Sequence, residues 1–200
     1  MLLEFIRCDI QTIIFLIVSI VYTATAFADE VVEKAEVTDS DFLQYKLQCT
    51  IDAPIDRVVP KAWNAALDSS FTAPKEIKTI LDAKANEIVM HTYIPIFSFQ
   101  DRDVVTCGKW DHKVGFESDS MSWKVCERHD APIRIGAIRI LKSNGSWSFH
   151  SNINGGTTIT IKSHTDPGGY LPAWVVNILA SDRLIDDCHR LRKRISPTNE

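Results

Sequence analysis

The chain has 200 residues, of which 45% are hydrophobic and 24% are charged. These proportions are ordinary for a globular protein, and the length suits one domain with or without a leader. The 22 basic and 26 acidic residues give a net charge of −4. Because nucleic-acid-binding proteins usually carry a basic surface, we expect no nucleic-acid partner.

The N-terminus carries an apolar run, IIFLIVSIV at residues 13–21, interrupted only by Ser19 and followed by Ala26-Phe27-Ala28. An apolar run before a small-residue A-x-A site predicts a signal peptide, residues 1–28, cleaved after Ala28. The run is shorter than the ~20 apolar residues that span a bilayer comfortably. Glu4 and Asp9 are atypical of a signal peptide, so an uncleaved membrane anchor is the alternative. We expect an exported protein, periplasmic or secreted.

The first part of the remaining chain predicts a strand and a short helix. Residues 29–41 are expected to be a polar lead-in, and the pattern of residues 42–51 fits a strand. After Asp52-Ala53-Pro54, apolar residues recur at helical spacing over residues 55–67, and Pro60 predicts that this helix is short or bent. Residues 75–81 fit neither pattern clearly.

From residue 87 onward, strand patterns follow one another. Short turns rich in Asn and Gly, including Ser143-Asn144-Gly145 and Asn154-Gly155-Gly156, separate several of them. This arrangement predicts an antiparallel meander. The predicted strands are residues 88–94, 99–110, 120–128, 133–142, 146–152 and 157–164.

The last long element is a helix predicted over residues 171–195, whose apolar residues recur at steps of three and four. Gly168 and Gly169 precede it, and Pro172 lies in its first turn. An anion site would call for Lys, Ser or Thr at the helix start. We therefore interpret the glycines as a hinge between strand and helix. A curved antiparallel sheet with this helix on its concave face is the economical α+β fold.

Five blocks in the second half of the chain carry a family resemblance. In order they are FSFQDRDVV (97–105), GAIRI (136–140), GSWSF (145–149), TDPGGYLPAWVVN (165–177) and HRLRKRI (189–195). Their order and spacing resemble the START domain of lipid-transfer proteins; before about residue 94 the resemblance is weak. It implies that residues 42–196 form an α+β helix-grip domain, with a curved antiparallel sheet wrapped around the C-terminal helix. Residues 197–200 would be a tail.

The resemblance also implies a function. The internal apolar cavity of this family encloses one sterol, phospholipid or other apolar ligand, so we expect transport or sensing of a single lipid, transient membrane contact and a monomer. Candidate ligand-binding residues are Trp123, Arg139, Trp174 and Ile178. Trp174 and Ile178 are included because their helix covers the cavity in the family. Ile138 and Ile140 flank Arg139, and neighbouring side chains of a strand point to opposite faces. Arg139 therefore faces either the cavity or the outer surface, and a charge inside the cavity would need a partner.

Other residues match the structural motifs of the family. Arg102 and Asp103 correspond to its Arg-Asp signature, where we favour an ion pair that fixes strand and loop over a ligand contact. Gly168, Gly169, Pro172 and Asn177 complete the motif around the last helix. Gly108 stands where some family members place a further arginine, which argues against a sterol-type polar anchor.

If the leader is removed, four cysteines remain: Cys49, Cys107, Cys126 and Cys188. An even number in an exported protein permits disulfides. Cys107 and Cys126 flank a loop centred near residue 116, so we hypothesise a disulfide between them, with free buried thiols as the alternative.

Motifs for metal or enzyme chemistry are lacking. There is no C-x-x-C or H-x-x-x-H pair and no phosphate-binding or G-x-S-x-G motif, so we expect no metal, no cofactor and no catalytic residues. Two alternatives stay open. One is a helix-grip enzyme of the cyclase or hydrolase type acting on a hydrophobic substrate, with a polar pair such as Arg139 with His150 or Asp103 in its cavity. The other is an interaction module with a collapsed cavity.

Overall fold

The computed structural model describes residue 30, residues 32–112 and residues 118–196. The predicted leader and the predicted tail, residues 197–200, lie outside this range. No helix in the described part of the chain has the length and apolar character to cross a membrane. The described elements are β1 (Val32–Val37), β2 (Ser40–Ile51), α1 (Ile55–Leu67), β3 (Ile77–Ala83), β4 (Glu87–Ile94), β5 (Arg102–Asp111), β6 (Ser118–Val125), β7 (Ile138–Arg139), β8 (Lys142–Ser151), β9 (Thr157–Asp166) and α2 (Ala173–Ile195).

The strands form one sheet in the order β1-β2-β9-β8-β6-β5-β4-β3. All of these neighbours pair antiparallel, and the two-residue strand β7 pairs with β5 in parallel. β2 follows β9 over eight residue pairs, which joins the beginning of the domain to its end. The predicted α+β helix-grip fold is confirmed.

Some elements differ from the sequence predictions. Residues 32–37 of the polar lead-in form the edge strand β1, and residues 143–145 lie inside β8 instead of in a turn. Gly145 is needed there for packing: a Cβ at this position would lie 2.1 Å from the Trp123 ring. The predicted strand 133–142 is reduced to β7, and Gly136 interrupts that segment with a φ of +87°.

Helix α2 packs most closely through its C-terminal half. Its buried side chains lie mainly from residue 184 onward and face the inward side chains of β2, whose buried residues alternate along the strand. A disulfide joins Cys49 of β2 to Cys188 of α2. Nearer the start of the helix, Asn177 Oδ1 accepts a hydrogen bond from Tyr45 Oη at 2.5 Å. The helix is thus covalently attached at one end and hydrogen-bonded near the other.

A second disulfide joins Cys107 of β5 to Cys126, just after β6. Sequence reasoning suggested this pairing because both residues flank one hairpin loop. The Cys49–Cys188 pairing was missed, since 139 residues separate the two cysteines and only the folded sheet brings them together.

We predict that residues 29–200, purified without reductant, contain no free thiol under denaturing conditions and four after reduction. Replacing both Cys49 and Cys188 by Ala should lower the free energy of unfolding by ~3–4 kcal/mol, because the cross-link closes a long loop in the unfolded chain. Thiol titration and urea unfolding measure the two effects. Four free thiols without reductant would contradict the prediction, and the Cys107→Ala, Cys126→Ala variant is the matched control for a short loop.

Candidate functional site

A cavity of about 340 Å³ lies between the concave face of the sheet and the two helices. Alternate residues of β4 and β5 point into it, as the side-chain alternation of a strand requires. Most of the lining is apolar. The apolar lining residues are Ala62, Trp63, Ala66, Phe71, Ile88, Met90, Ile94, Val104, Gly108, Met121, Trp123, Trp147 and Leu184.

Trp123 contributes part of the wall, where the sequence placed a ligand-binding residue. Its ring lies against the backbone at Gly145, its cross-strand partner, where no larger residue would fit. Gly108, its partner on the other side, also lines the cavity, and a Cβ there would lie 2.8 Å from Ile88 Cγ2. The two glycines therefore allow Trp123 and Ile88 to pack closely over the sheet.

Aromatic rings close one side of the cavity. The centroids of Trp63 on α1 and Trp110 on β5 are 5.6 Å apart, and those of Trp147 and Phe149 on β8 are 6.2 Å apart. Phe149 is fully buried. Such rings pack as rigid bodies with large contact areas, so they form a firm boundary to the cavity.

One wall of the cavity, where the loop of residues 68–76 meets α2, is charged; we call it the charged wall. Glu76, Lys78, Arg183 and Asp187 all contribute to the lining. Arg183 forms an ion pair with Glu76 and a second with Asp187 at 3.2 Å. Burial lowers the pKa of Arg183, but the two carboxylates outweigh it, and the net shift is upward. This charged wall was not found by sequence reasoning, since its residues are far apart in the chain and match no motif.

Lys78 has a specific structural role in this wall. Its Nζ donates to the carbonyl oxygens of Ala65, Ala66 and Phe71 at 3.0–3.2 Å. Two of these carbonyls belong to the last turn of α1, where the helix leaves its acceptors unpaired. Burial lowers the pKa of Lys78 to about 8. The lysine therefore joins the end of α1 to the loop and contributes an amine to the cavity wall.

Arg102 organises the loop that leads into α2. The side chain is 1% exposed, and it donates to the carbonyl oxygens of Pro167 at 3.2 Å, Gly168 at 2.9 Å and Gln100. Burial lowers its pKa. The expected ion pair with Asp103 is replaced by these backbone acceptors, so Arg102 holds the loop by hydrogen bonds.

Asp103 makes its contacts on the sheet face opposite the cavity. It accepts two hydrogen bonds from Arg139, at 2.8 and 2.7 Å, and its Oδ2 lies 2.8 Å from His91 Nε2. Burial opposes ionisation of Asp103, but these contacts outweigh it and lower its pKa. Arg139 also donates to the Pro132 carbonyl at 2.9 Å. The cluster thus attaches the segment before β8 to β5.

The placement of Arg139 corrects its assignment to the ligand site. It lies on the outer side because its carboxylate partner, Asp103, alternates with the cavity residues Val104 and Thr106. The polar pair that the enzyme alternative requires, Arg139 with Asp103, is therefore outside the cavity. His150 contributes to a separate polar depression with Ser148 and Asp119.

The two helix residues assigned to the cavity point elsewhere. Trp174 is 64% exposed and Ile178 is 54% exposed, and neither lines the cavity. Asn177, between them, is directed to Tyr45 of β2. The spacing of apolar residues predicted helix α2 correctly. The N-terminal half of this helix, however, has more apolar residues than one buried face can accommodate, and Trp174 and Ile178 stay exposed.

The residues before α2 have the backbone that the hinge interpretation requires. Gly168 and Gly169 have φ angles of +65° and +61°, which side chains other than glycine adopt at a cost. A Cβ on Gly169 would also lie 2.5 Å from Ile138 Cδ1. Pro172 is the N-cap residue of α2. Glycine at both positions lets the chain turn tightly from β9 into the helix without this backbone strain.

Comparison with known proteins agrees with this architecture. A STAR-related lipid transfer protein fragment from Xanthomonas axonopodis superposes with a TM-score of 0.67 at 20% identity, covering 83% of this chain and 98% of that one. Human StAR-related lipid transfer protein 5 gives 0.65 at 13% identity, with 90% and 93% covered. Human STARD10 gives 0.62 at 15% identity, with 88% and 78% covered. The chain therefore has the START-type helix-grip fold.

Sequence comparison finds less similarity than structure comparison does. No family model matches the chain. An uncharacterized protein of Pseudomonas aeruginosa is 33% identical over 61 residues, and the match spans 30% of this chain and 30% of that protein. The fold is consequently established by structure, and the ligand has to be argued from the cavity.

We predict that Asp103→Asn lowers the free energy of unfolding at pH 7 by about 2 kcal/mol, since Arg139 and His91 lose a charged acceptor. The folded pKa of Asp103 is lowered, so its contribution is present above the unfolded pKa of about 4 and is lost as the pH falls through the folded pKa. Urea unfolding at pH 7 and pH 3 should show the two proteins converging in acid. Asp41→Asn, at an exposed position of β2, is the control, and an unchanged midpoint for Asp103→Asn at pH 7 would contradict the prediction.

Proposed function

We propose that this chain is an exported START-like protein that binds a single lipid or other hydrophobic ligand in its cavity and transports or senses it. The supporting observation is the 340 Å³ cavity with a largely apolar lining, bordered by the long helix of a START-type fold. Burial of apolar surface stabilises such a complex by ~0.8 kcal/mol per methylene. An open cavity also argues against an interaction module with a collapsed interior.

Export rests on the apolar run and A-x-A site at the N-terminus, and two disulfides in the described residues support it. Disulfides persist in oxidising compartments and are rare in the cytosol. A hydrophobic ligand outside the cytoplasm needs a carrier because it is poorly soluble in water. Export and ligand transport are therefore consistent proposals.

The tip of the domain supports transient membrane contact. We define the tip as residues 95–101, 128–141 and 167–174, which follow or precede strands at the same end of the sheet. Phe97 is 94% exposed and Ile135 is 100% exposed. Ile133, Leu141, Tyr170 and Trp174 are also largely exposed. Grouped exposed apolar side chains of this kind are typical of a surface that contacts protein or membrane.

The cavity reaches toward this same tip. Ile94 at the end of β4, Val104 near the start of β5 and the hydrogen-bonded pair Ser143–Thr165 all contribute to its lining. These residues lie at the strand ends next to the tip loops. A ligand leaving there would meet the apolar tip before it meets bulk water, so we assign the tip to membrane docking.

We predict that the native protein carries or takes up a hydrophobic ligand and that Thr92→Phe abolishes this. Thr92 lines the cavity, and a phenyl ring there would occupy the ligand volume. Thr79→Phe is the matched control, because Thr79 is exposed and lies outside the lining on neighbouring β3. Organic extraction with mass spectrometry, and uptake of fluorescent fatty acid or sterol, measure the effect. Absence of every ligand in the folded native protein would refute the proposed function.

We predict that Phe97→Ser combined with Ile135→Ser weakens binding to phospholipid vesicles by more than tenfold, which corresponds to ~1.4 kcal/mol. Each change removes apolar surface available for insertion, at ~25 cal/mol per Å². Ile153→Ser is the control, because Ile153 is equally exposed but lies in the β8–β9 hairpin at the other end of the sheet. Vesicle flotation measures the fraction of each variant that binds to vesicles. Equal losses in both variants would contradict docking through the tip.

A further inference from the structure

We infer that the cavity selects a single-chain amphiphile of about 14 non-hydrogen atoms, the size of a twelve-carbon fatty acid, and excludes two-chain phospholipids. This inference rests on the proposed function and specifies its ligand. It follows from the cavity volume, from the aromatic boundary and from the polar groups in the lining.

The volume sets the size of the ligand. An engineered apolar protein cavity of ~150 Å³ holds one benzene molecule, which has six carbon atoms. At the same packing, the 340 Å³ cavity accommodates about 14 non-hydrogen atoms. A phospholipid with two long chains has several times that number, so it cannot be enclosed.

The aromatic boundary explains why the cavity stops where it does. Trp63 and Trp147 line the cavity and rest on Trp110 and Phe149 behind them. Phe149 is fully buried and Trp63 nearly so. A longer chain would have to displace packed rings, which costs contacts on both sides. The concave face beyond this boundary is therefore occupied by the protein itself.

Polar groups in the lining indicate that the ligand has a polar end. Lys78 and Arg183 bring two positive charges to the lining, and Glu76 and Asp187 bring two negative ones. Several hydroxyl groups lie in the lining as well, including those of Thr106 and Ser163. The charged groups already pair with one another or with backbone carbonyls. A purely apolar ligand would, however, cover the Thr106 and Ser163 hydroxyls without giving them a hydrogen-bond partner, and that is unfavourable. A chain that ends in a carboxylate or hydroxyl offers them one.

The experiment measures the affinity of residues 29–200 for saturated fatty acids of 8 to 18 carbons, by competition with a fluorescent fatty acid below the critical micelle concentrations. Dipalmitoyl phosphatidylcholine is supplied as vesicles, and lipid bound to the protein is measured by mass spectrometry after the vesicles are removed. We expect the dissociation constant to fall about fourfold per methylene, equivalent to ~0.8 kcal/mol, up to about 12 carbons, and to rise beyond. Tightest binding at 16 to 18 carbons, or binding of the two-chain lipid, would overturn the size limit while leaving the proposed function intact. No binding of any probe would overturn the proposed function itself.

A pair of variants tests the aromatic boundary. Trp147→Ala should move the preferred chain length upward by roughly four carbons, since it opens volume next to the cavity. Trp147→Leu, a smaller change that preserves more packing, should move it in the same direction by less. Ile153→Ala, outside the cavity and in the β8–β9 hairpin at the other end of the sheet, should leave the preferred length unchanged. An unchanged preference in folded Trp147→Leu would contradict a boundary at this residue.

Discussion

The attachment of α2 to β2 determines where a cavity can exist. Leu184, Cys188 and Leu191 bury the C-terminal half of the helix against the sheet, and Cys188 is bonded to Cys49. With that half packed tightly, the helix acts as a cover whose position is set by one end. The space remains under its middle, where Arg183, Leu184 and Asp187 are the helix residues that reach the lining.

Two charged residues at the start of β5 order the loops at the tip. Arg102 binds the carbonyls of Pro167 and Gly168 ahead of α2, while Asp103 binds Arg139 ahead of β8. Consecutive residues of a strand point to opposite faces, so this pair serves two loops on two sides of one strand. Both are nearly inaccessible to water, which makes each hydrogen bond costly to leave unmade. Arg102 and Asp103 are therefore adjacent because each holds a different loop, and neither needs to contact a ligand.

Local patterns were sufficient for most of the fold. Apolar period and turn chemistry placed α1 at residues 55–67, as found, and located α2 within two residues at its start. The sequence misled where a residue type has two uses: Gly145 resembles a turn glycine, but its role is to lie beneath Trp123. Cavity residues such as Glu76 and Arg183 are 107 positions apart, so no local pattern could join them. Arg139, Trp174 and Ile178 show the same limit, because periodicity identifies a face and does not say what covers it.

Exposed apolar residues distinguish the two ends of the domain. At the tip, Phe97, Ile135 and Tyr170 stand in separate loops, and the adjoining turn of α2 adds Trp174. A stable core gains nothing from these side chains, since burial is the source of their contribution to folding. Arg102 and Arg139 nevertheless hold the loops that carry them in fixed positions. A protein that orders apolar side chains in water maintains a preformed surface for apolar surroundings, and the cavity extends to the strand ends beneath it. The ordered tip and the limited cavity are together what the proposed membrane contact and the proposed uptake of one small amphiphile would require.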